Sequence, residues 1–294
     1  MRVALRRHWP EYLIEALGLG LFMLSASAFG TLFEHPDSPL RQAIGDPLLR
    51  RVPLGLAMGL TAIALIYSPL GQRSGAHINP VVTATFHRLG KVEPWDAAFY
   101  VLAQVVGGIA GVQVAGWLLG ERLGHPAVGY VATVPGAAGL GVAFLAEGLI
   151  AFGLMLVVLT VSNTPRLARY TGLCAGALVA TYILVEAPLS GMSMNPARTL
   201  ASTVPAGTWA VLWLYVAAPL GGMLLAAEAY LRLIRPAGAI CAKLHHPHEA
   251  PCIFRCGYRA AAERQGEAVT AARGAETMPT GAVSPSLRQG GSKA

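Results

Sequence analysis

Charge is the scarcest ingredient of this 294-residue chain: Asp, Glu, Lys and Arg make up 13% of it, where a soluble domain of this size carries about 25%. A water-soluble globular enzyme is excluded on that ground. Aromatic residues are also sparse, at 7%. Four cysteines are too few and too unevenly placed for a disulfide scaffold. What is present is apolar: 54% of the residues are hydrophobic and the mean hydropathy is +0.52. At roughly 20 residues per span, six membrane helices need about 120 residues, which the chain supplies with sequence to spare. The net charge of +7 sits at the two ends and in short loops, a pattern of membrane orientation rather than of nucleic-acid binding.

Apolar stretches run from Tyr12 to Leu32, Val52 to Pro69, Trp95 to Leu119, Gly139 to Val161, Tyr170 to Ala187 and Trp209 to Ile234, which predicts six spans. Arg2, Arg6 and Arg7 before the first span imitate a signal peptide, but the apolar run is longer than an h-region and has no A-x-A-like exit. Basic residues cluster after spans two, four and six as well: Arg73, Arg88 and Lys91, then Arg166 and Arg169, then Arg235 and Lys243. All of these fall on one face, which places both termini in the cytoplasm of a cell (inner) membrane protein. Residues 1–10 read as a cytoplasmic N-terminus and 11–235 as the membrane domain. From Pro236 to Ala294 the composition turns to Gly, Ala, Ser, Arg and Glu. That stretch reads as a cytoplasmic tail, mostly disordered and dispensable to the membrane core.

Two segments repeat one pattern, SGAHINPVVT from Ser74 and SGMSMNPART from Ser190. Each follows two spans of its own half, the first of which carries a glutamate in apolar sequence, Glu15 and Glu147. The halves, about 11–120 and 138–235, are therefore copies of a three-span unit. Three is odd, so the second copy enters the membrane from the other side. Both repeated segments are too polar and too short to span, and each is followed by residues able to form a short helix. Proline fits the first turn of a helix and asparagine fits its N-cap, so Asn79–Pro80 and Asn195–Pro196 are expected to open two re-entrant half-helices. Irregular backbone at bilayer depth is tolerated only inside protein or beside a watery cavity, and two such elements imply a pore.

Each half-helix turns the positive end of its dipole, equivalent to roughly +0.5 charge, toward the midplane. Together they repel cations and protons, and the Asn79 and Asn195 amides are positioned to donate hydrogen bonds to a passing water or hydroxyl. Arg198, one turn into the second half-helix, is the candidate for a selectivity constriction, since a buried arginine needs carbonyls, water or solute around it. Glu15 and Glu147 face the converse problem. They are read as braces accepting the spare N–H groups of the two loops, with proton relay as the competing role.

These residues resemble the aquaporins, or major intrinsic proteins, from Tyr12 to about Arg235. The second Asn-Pro-Ala motif is intact as Asn195, Pro196 and Ala197, followed by Arg198, while the first reads Asn79, Pro80, Val81. The resemblance implies an all-α membrane fold of six transmembrane helices plus two re-entrant half-helices in a right-handed bundle. It also implies a homotetramer in the lipid bilayer and passive passage of water or small uncharged solutes, with no cofactor and no enzymatic activity. Registered on the family, the constriction falls at Met58, Ile183, Met192 and Arg198, with Gly59 as the alternative in span two. That set follows neither the aromatic-plus-His pattern of strict water channels nor the Trp-and-Phe pattern of glycerol channels. Thr199 and Thr203 also replace the Asp and basic residue usual after the second motif in the latter. Water conduction is expected, and the alternative is a facilitator mainly for another neutral solute: ammonia, hydrogen peroxide, urea or glycerol. The rival class is a secondary transporter, which also uses inverted repeats.

Other residues read more plainly. His77 would lie at the cytoplasmic side of the pore, as a possible gate or as a loop histidine bonded to backbone. Phe22 and Met23 read as packing or lipid-facing residues, and Cys174 as a packing residue. The proximal tail gathers Cys241, His245, His246, His248, Cys252 and Cys256. Their spacing matches no tetrahedral finger, so no metal is assigned and the stretch reads as a reduced segment, with soft-metal binding as the competing role.

Overall fold

The computed structural model describes residues 1–246 and 251–258. The far part of the predicted disordered tail, and His248 with it, lies outside the described residues. Among those described there is no β-strand, and six helices are long and apolar enough to cross a membrane. The long helices are α1 (Arg2–Glu34), α2 (Pro47–Tyr67) and, after the short α3 (Pro80–Arg88), α4 (Pro94–Leu119). The second half repeats the order with α5 (Leu140–Ser162), α6 (Thr171–Val185), the short α7 (Pro196–Ala206) and α8 (Leu212–Ala229).

The starts follow local chemistry. Proline opens α2, α3, α4 and α7, where its missing N–H has no partner to lose. Asp46 caps α2, its carboxylate accepting from the amides of Leu48 at 2.7 Å and Leu49 at 3.1 Å. The stop of α7 falls on glycine: Gly207 takes a left-handed φ of 72°, which costs a residue without Cβ nothing.

No break in secondary structure marks residues 10/11, because α1 runs unbroken from Arg2 to Glu34. Its first turns have tertiary partners: His8 Nδ1 lies 2.8 Å from Asp96, Tyr12 donates to the same carboxylate at 2.6 Å, and Glu11 pairs with Arg73 at 2.9 Å. A charged, hydrogen-bonded surface thus extends the helix beyond its apolar stretch. The tail boundary moves too. Ala239 to Leu244 are buried and belong to the compact unit that ends at Cys256, so this part of the tail is built into the channel body.

Backbones approach closely inside each repeat. A Cβ on Gly107 would stand 2.0 Å from the Ala16 carbonyl oxygen, and one on Gly111 2.3 Å from that of Gly20, which joins α4 to α1. The second repeat joins α8 to α5 in the same way, Gly222 facing the Gly148 oxygen at 2.2 Å. Gly55 and Gly59 bring α2 against α6, facing the oxygens of Ala180 and Gly176. Where lipid and core are equally apolar, such contacts between small residues drive helix association. Leucines such as Leu60, Leu145, Leu149 and Leu225 remain exposed on the outer faces, as lipid contact requires.

Candidate functional site: the re-entrant loops and the pore

The two loops ahead of the half-helices share one backbone path. Gly75 and Gly191 are left-handed (φ 101° and 84°), and so are Ala76 and Met192 (54° and 55°) and Ile78 and Met194 (41° and 54°). Positive φ at non-glycine residues stores strain, and β-branched Ile78 stores the most. Two buried carboxylates hold this path. Glu15 accepts from Ser74 Oγ at 2.7 Å, His77 N at 3.1 Å, Ile78 N at 2.6 Å and Gln104 Nε2 at 2.8 Å. Glu147 accepts from Ser190 Oγ at 2.7 Å, Ser193 N at 2.6 Å and Met194 N at 2.7 Å. A second matched pair closes each loop: Tyr100 donates to the Ser74 carbonyl at 2.7 Å and Tyr215 to that of Ser190 at 2.5 Å. Sequence reasoning missed Tyr100, Tyr215 and Gln104; an isolated polar side chain in each third span was the available signal.

Asn79 caps α3 by accepting from Val81 N at 2.9 Å, and Asn195 caps α7 by accepting from Ala197 N at 3.1 Å and Arg198 N at 3.2 Å. Their amides, expected to donate to a passing water or hydroxyl, also donate within the protein. Asn79 Nδ2 donates to the Met194 carbonyl at 2.8 Å and Asn195 Nδ2 to that of Ile78 at 2.7 Å. These crossed bonds lock the two half-helix tips together. Each –NH₂ has two donor hydrogens, so one per asparagine is left for the cavity.

A cavity of about 300 Å³ passes between the two loops, lined by Asn79, Asn195, Met58, Ile183, Met192 and Arg198. Gly59 does not line it and instead packs against α6. Among the described residues, Arg198 Nη1 is buried without a hydrogen-bond partner. Phe22, assigned to packing or lipid, lines the cavity, whereas Met23 is fully buried core. The loop between the repeats contributes Val128, Val131 and Ala132 to the wall, a contribution without any motif to announce it. Thr133 of that loop meets Thr199 at 2.8 Å.

His77 is buried, with Nε2 2.8 Å from the Ala242 carbonyl and Nδ1 3.0 Å from Thr83 Oγ1. Nε2–H must donate to a carbonyl, so a neutral ring with Nδ1 accepting satisfies both nitrogens. The ring stacks between Phe86 and Phe254, at centroid distances of 5.3 and 5.2 Å. Of the tail residues, Cys241, His246, Cys252 and Cys256 converge, their donor atoms within 4.8 Å of one another. Hydrogen bonds to Cys252 and Cys256, then burial, and after these the charge of Cys252, push the Cys241 thiol far above its usual range. His245 turns away to meet Tyr67 edge-on at 5.0 Å.

Residues 4–230 match the family model described as "Major intrinsic protein". The chain belongs to the major intrinsic protein family. It is 34% identical over 204 residues to glycerol uptake facilitator protein-like 6 of Lactiplantibacillus plantarum, covering 67% of this chain and 84% of that one. Aquaporin NIP1-3 of Oryza sativa subsp. japonica is 38% identical over 183 residues, 61% of each chain, so this match spans about three-fifths of the plant relative. The aquaglyceroporin from Plasmodium falciparum shares the fold, with a TM-score of 0.66 at 22% identity over 78% of this chain and 98% of that structure. This major intrinsic protein is therefore an integral membrane channel of the aquaporin fold, of the class that passes water or small solutes, and not a member of an enzyme family.

Proposed function

We propose that this channel conducts water together with small uncharged solutes, passively, and rejects ions and protons. The cavity carries the argument: it is lined by both Asn-capped half-helix N-termini and by Arg198, a guanidinium nitrogen of which is buried without a partner among the described residues. A cation approaching the Asn79–Asn195 pair meets two positive dipole ends. An anion loses its hydration to walls made of Met, Ile, Val and Ala. A neutral solute exchanges water for the Arg198 N–H, the remaining asparagine N–H groups and loop carbonyls.

At the Arg198 end, Met58, Ile183 and Met192 form the apolar side and Arg198 the single donor edge. A molecule with hydroxyls along one edge and C–H groups along the other matches that division, which favours glycerol among the solutes considered. The name of the bacterial relative, a glycerol uptake facilitator protein, accords with this choice. In this reading the termini face the cytoplasm of a cell membrane, following the basic loops, and four copies assemble as a homotetramer with one pore each.

Stopped-flow light scattering on proteoliposomes tests the function. A gradient of impermeant sugar is expected to give fast shrinkage, and a glycerol gradient fast shrinkage followed by fast reswelling. Shrinkage without reswelling would make it a water channel only. Uptake that collapses with a protonophore would instead support a coupled transporter.

A further inference from the structure

Past the last spanning helix, the chain folds back onto the body of the channel, and its four soft donors are gathered there. Cys241 Sγ and Cys252 Sγ stand 3.6 Å apart, and Cys256 Sγ lies 3.2 Å from His246 Nε2. Around a zinc ion with Zn–S near 2.3 Å and Zn–N near 2.0 Å, the edges of a tetrahedron measure roughly 3.5–3.8 Å. The donors already stand close to that spacing. A disulfide would need its sulfurs at about 2.05 Å, and none of the four cysteines is joined in one.

The surroundings suit a charged metal centre. Three thiolates, one neutral imidazole and a divalent cation sum to −1. Lys243, almost wholly buried, supplies the opposite charge from within the same loop, its ammonium donating to the Pro251 carbonyl at 2.5 Å and to that of Gln72 at 2.7 Å. The backbone on either side is pinned. Asn163 Oδ1 accepts from Ile240 N at 2.5 Å and Cys241 N at 3.1 Å, and Arg255 N donates to the Lys91 carbonyl at 3.0 Å.

We propose that Cys241, His246, Cys252 and Cys256 form a tetrahedral site for a soft divalent cation of the Zn²⁺ class, which staples the post-helix segment across the tail end of the pore. The staple reaches the pore directly. Between the first ligand and the second, Ala242 O accepts from His77 and Leu244 N donates to the Gly75 carbonyl at 3.1 Å, while the Leu244 side chain lines the cavity. Beyond the third ligand, Phe254 stacks on His77. One ion therefore ties together both stretches that hold the first re-entrant loop from outside the membrane. Thiolate ligands hold a structural zinc without an open position, so the ion organises rather than catalyses.

The test uses the reduced full-length protein in detergent, and it needs no flux, so its outcome is separate from that of the conduction assay. Elemental analysis after Zn²⁺ loading and desalting is expected to find one zinc per chain. Co²⁺ in its place is expected to show thiolate-to-cobalt charge transfer and tetrahedral ligand-field bands. Cys241→Ser and Cys256→Ser should each lose the bound ion, while Cys174→Ser keeps it. Because a ligand variant can misfold, the wild type is also stripped with a chelator. Hydrogen exchange at Cys241 to Leu244 should then speed up, and added Zn²⁺ should reverse it. Zinc-free protein after loading, an octahedral cobalt spectrum, metal retained in both ligand variants, exchange indifferent to zinc, or a Cys241–Cys252 disulfide in place of the ion would each overturn the proposal.

Discussion

Replacing Glu147 separates a brace from a proton carrier. Its Oε1 takes Ser190 Oγ and Ser193 N, and its Oε2 takes Met194 N. In Glu147→Gln, the amide oxygen can keep the first two bonds, but the –NH₂ then meets the Met194 N–H donor to donor. One buried N–H is orphaned, a cost of about 1–3 kcal/mol. In Glu147→Leu all three donors lose their acceptor, roughly 3–9 kcal/mol by the same scale, comparable with the whole stability of an ordinary fold at about 5–15 kcal/mol. Met192 and Met194, at φ 55° and 54°, would also relax and drag the α7 cap with them. Thermal unfolding in detergent, followed by the monodisperse fraction after heating, should rank wild type above Gln and Gln well above Leu. Water permeability per folded Gln channel should stay near that of wild type. A Leu variant within about 2 °C of wild type, roughly what 1 kcal/mol is worth in a chain of this size, would refute the bracing argument. A Gln variant of unchanged stability that lost a proton-coupled flux would establish the relay role instead.

Three further outcomes follow from the geometry. Met192→Phe places a rigid ring opposite Arg198 and should reduce glycerol reswelling far more than water efflux in the same liposomes; equal loss of both would mean that Met192 does not set the width. Gly111→Ala puts a methyl 2.3 Å from the Gly20 oxygen and must part α1 from α4, so it should lower the unfolding temperature by the equivalent of about 1–3 kcal/mol, readable in the same heating assay. Leu244→Ala trims a side chain that lines the cavity and should raise the water permeability above that of wild type; identical permeability in the two would remove Leu244 from the path.

What the chain determines by itself is what has a period, a motif or a composition. Six spans are legible because the hydrocarbon core demands apolar runs of a set length, and the inverted repeat because Ser74–Thr83 and Ser190–Thr199 share Ser-Gly, Asn-Pro and the closing Thr at one spacing. The partnership of Glu15 and Glu147 with those strings is also legible, since a buried carboxylate must find donors and the loops have them to spare. Tertiary structure decided the rest. Whether Met58 or Gly59 faces the cavity depends on the rotation of α2 against α6, a matter of one residue that hydropathy cannot resolve. Phe22 and the Val128–Ala132 stretch reach the cavity wall because neighbouring elements pack there. The crossed bonds of Asn79 and Asn195 join residues more than a hundred positions apart, and no local rule foresees them. The tail shows the limit most plainly. The spacing of Cys241, His246, Cys252 and Cys256 matches no finger pattern, because the fixed points that bring them together, Asn163, Gln72, Gly75 and Lys91, belong to distant loops of the channel body.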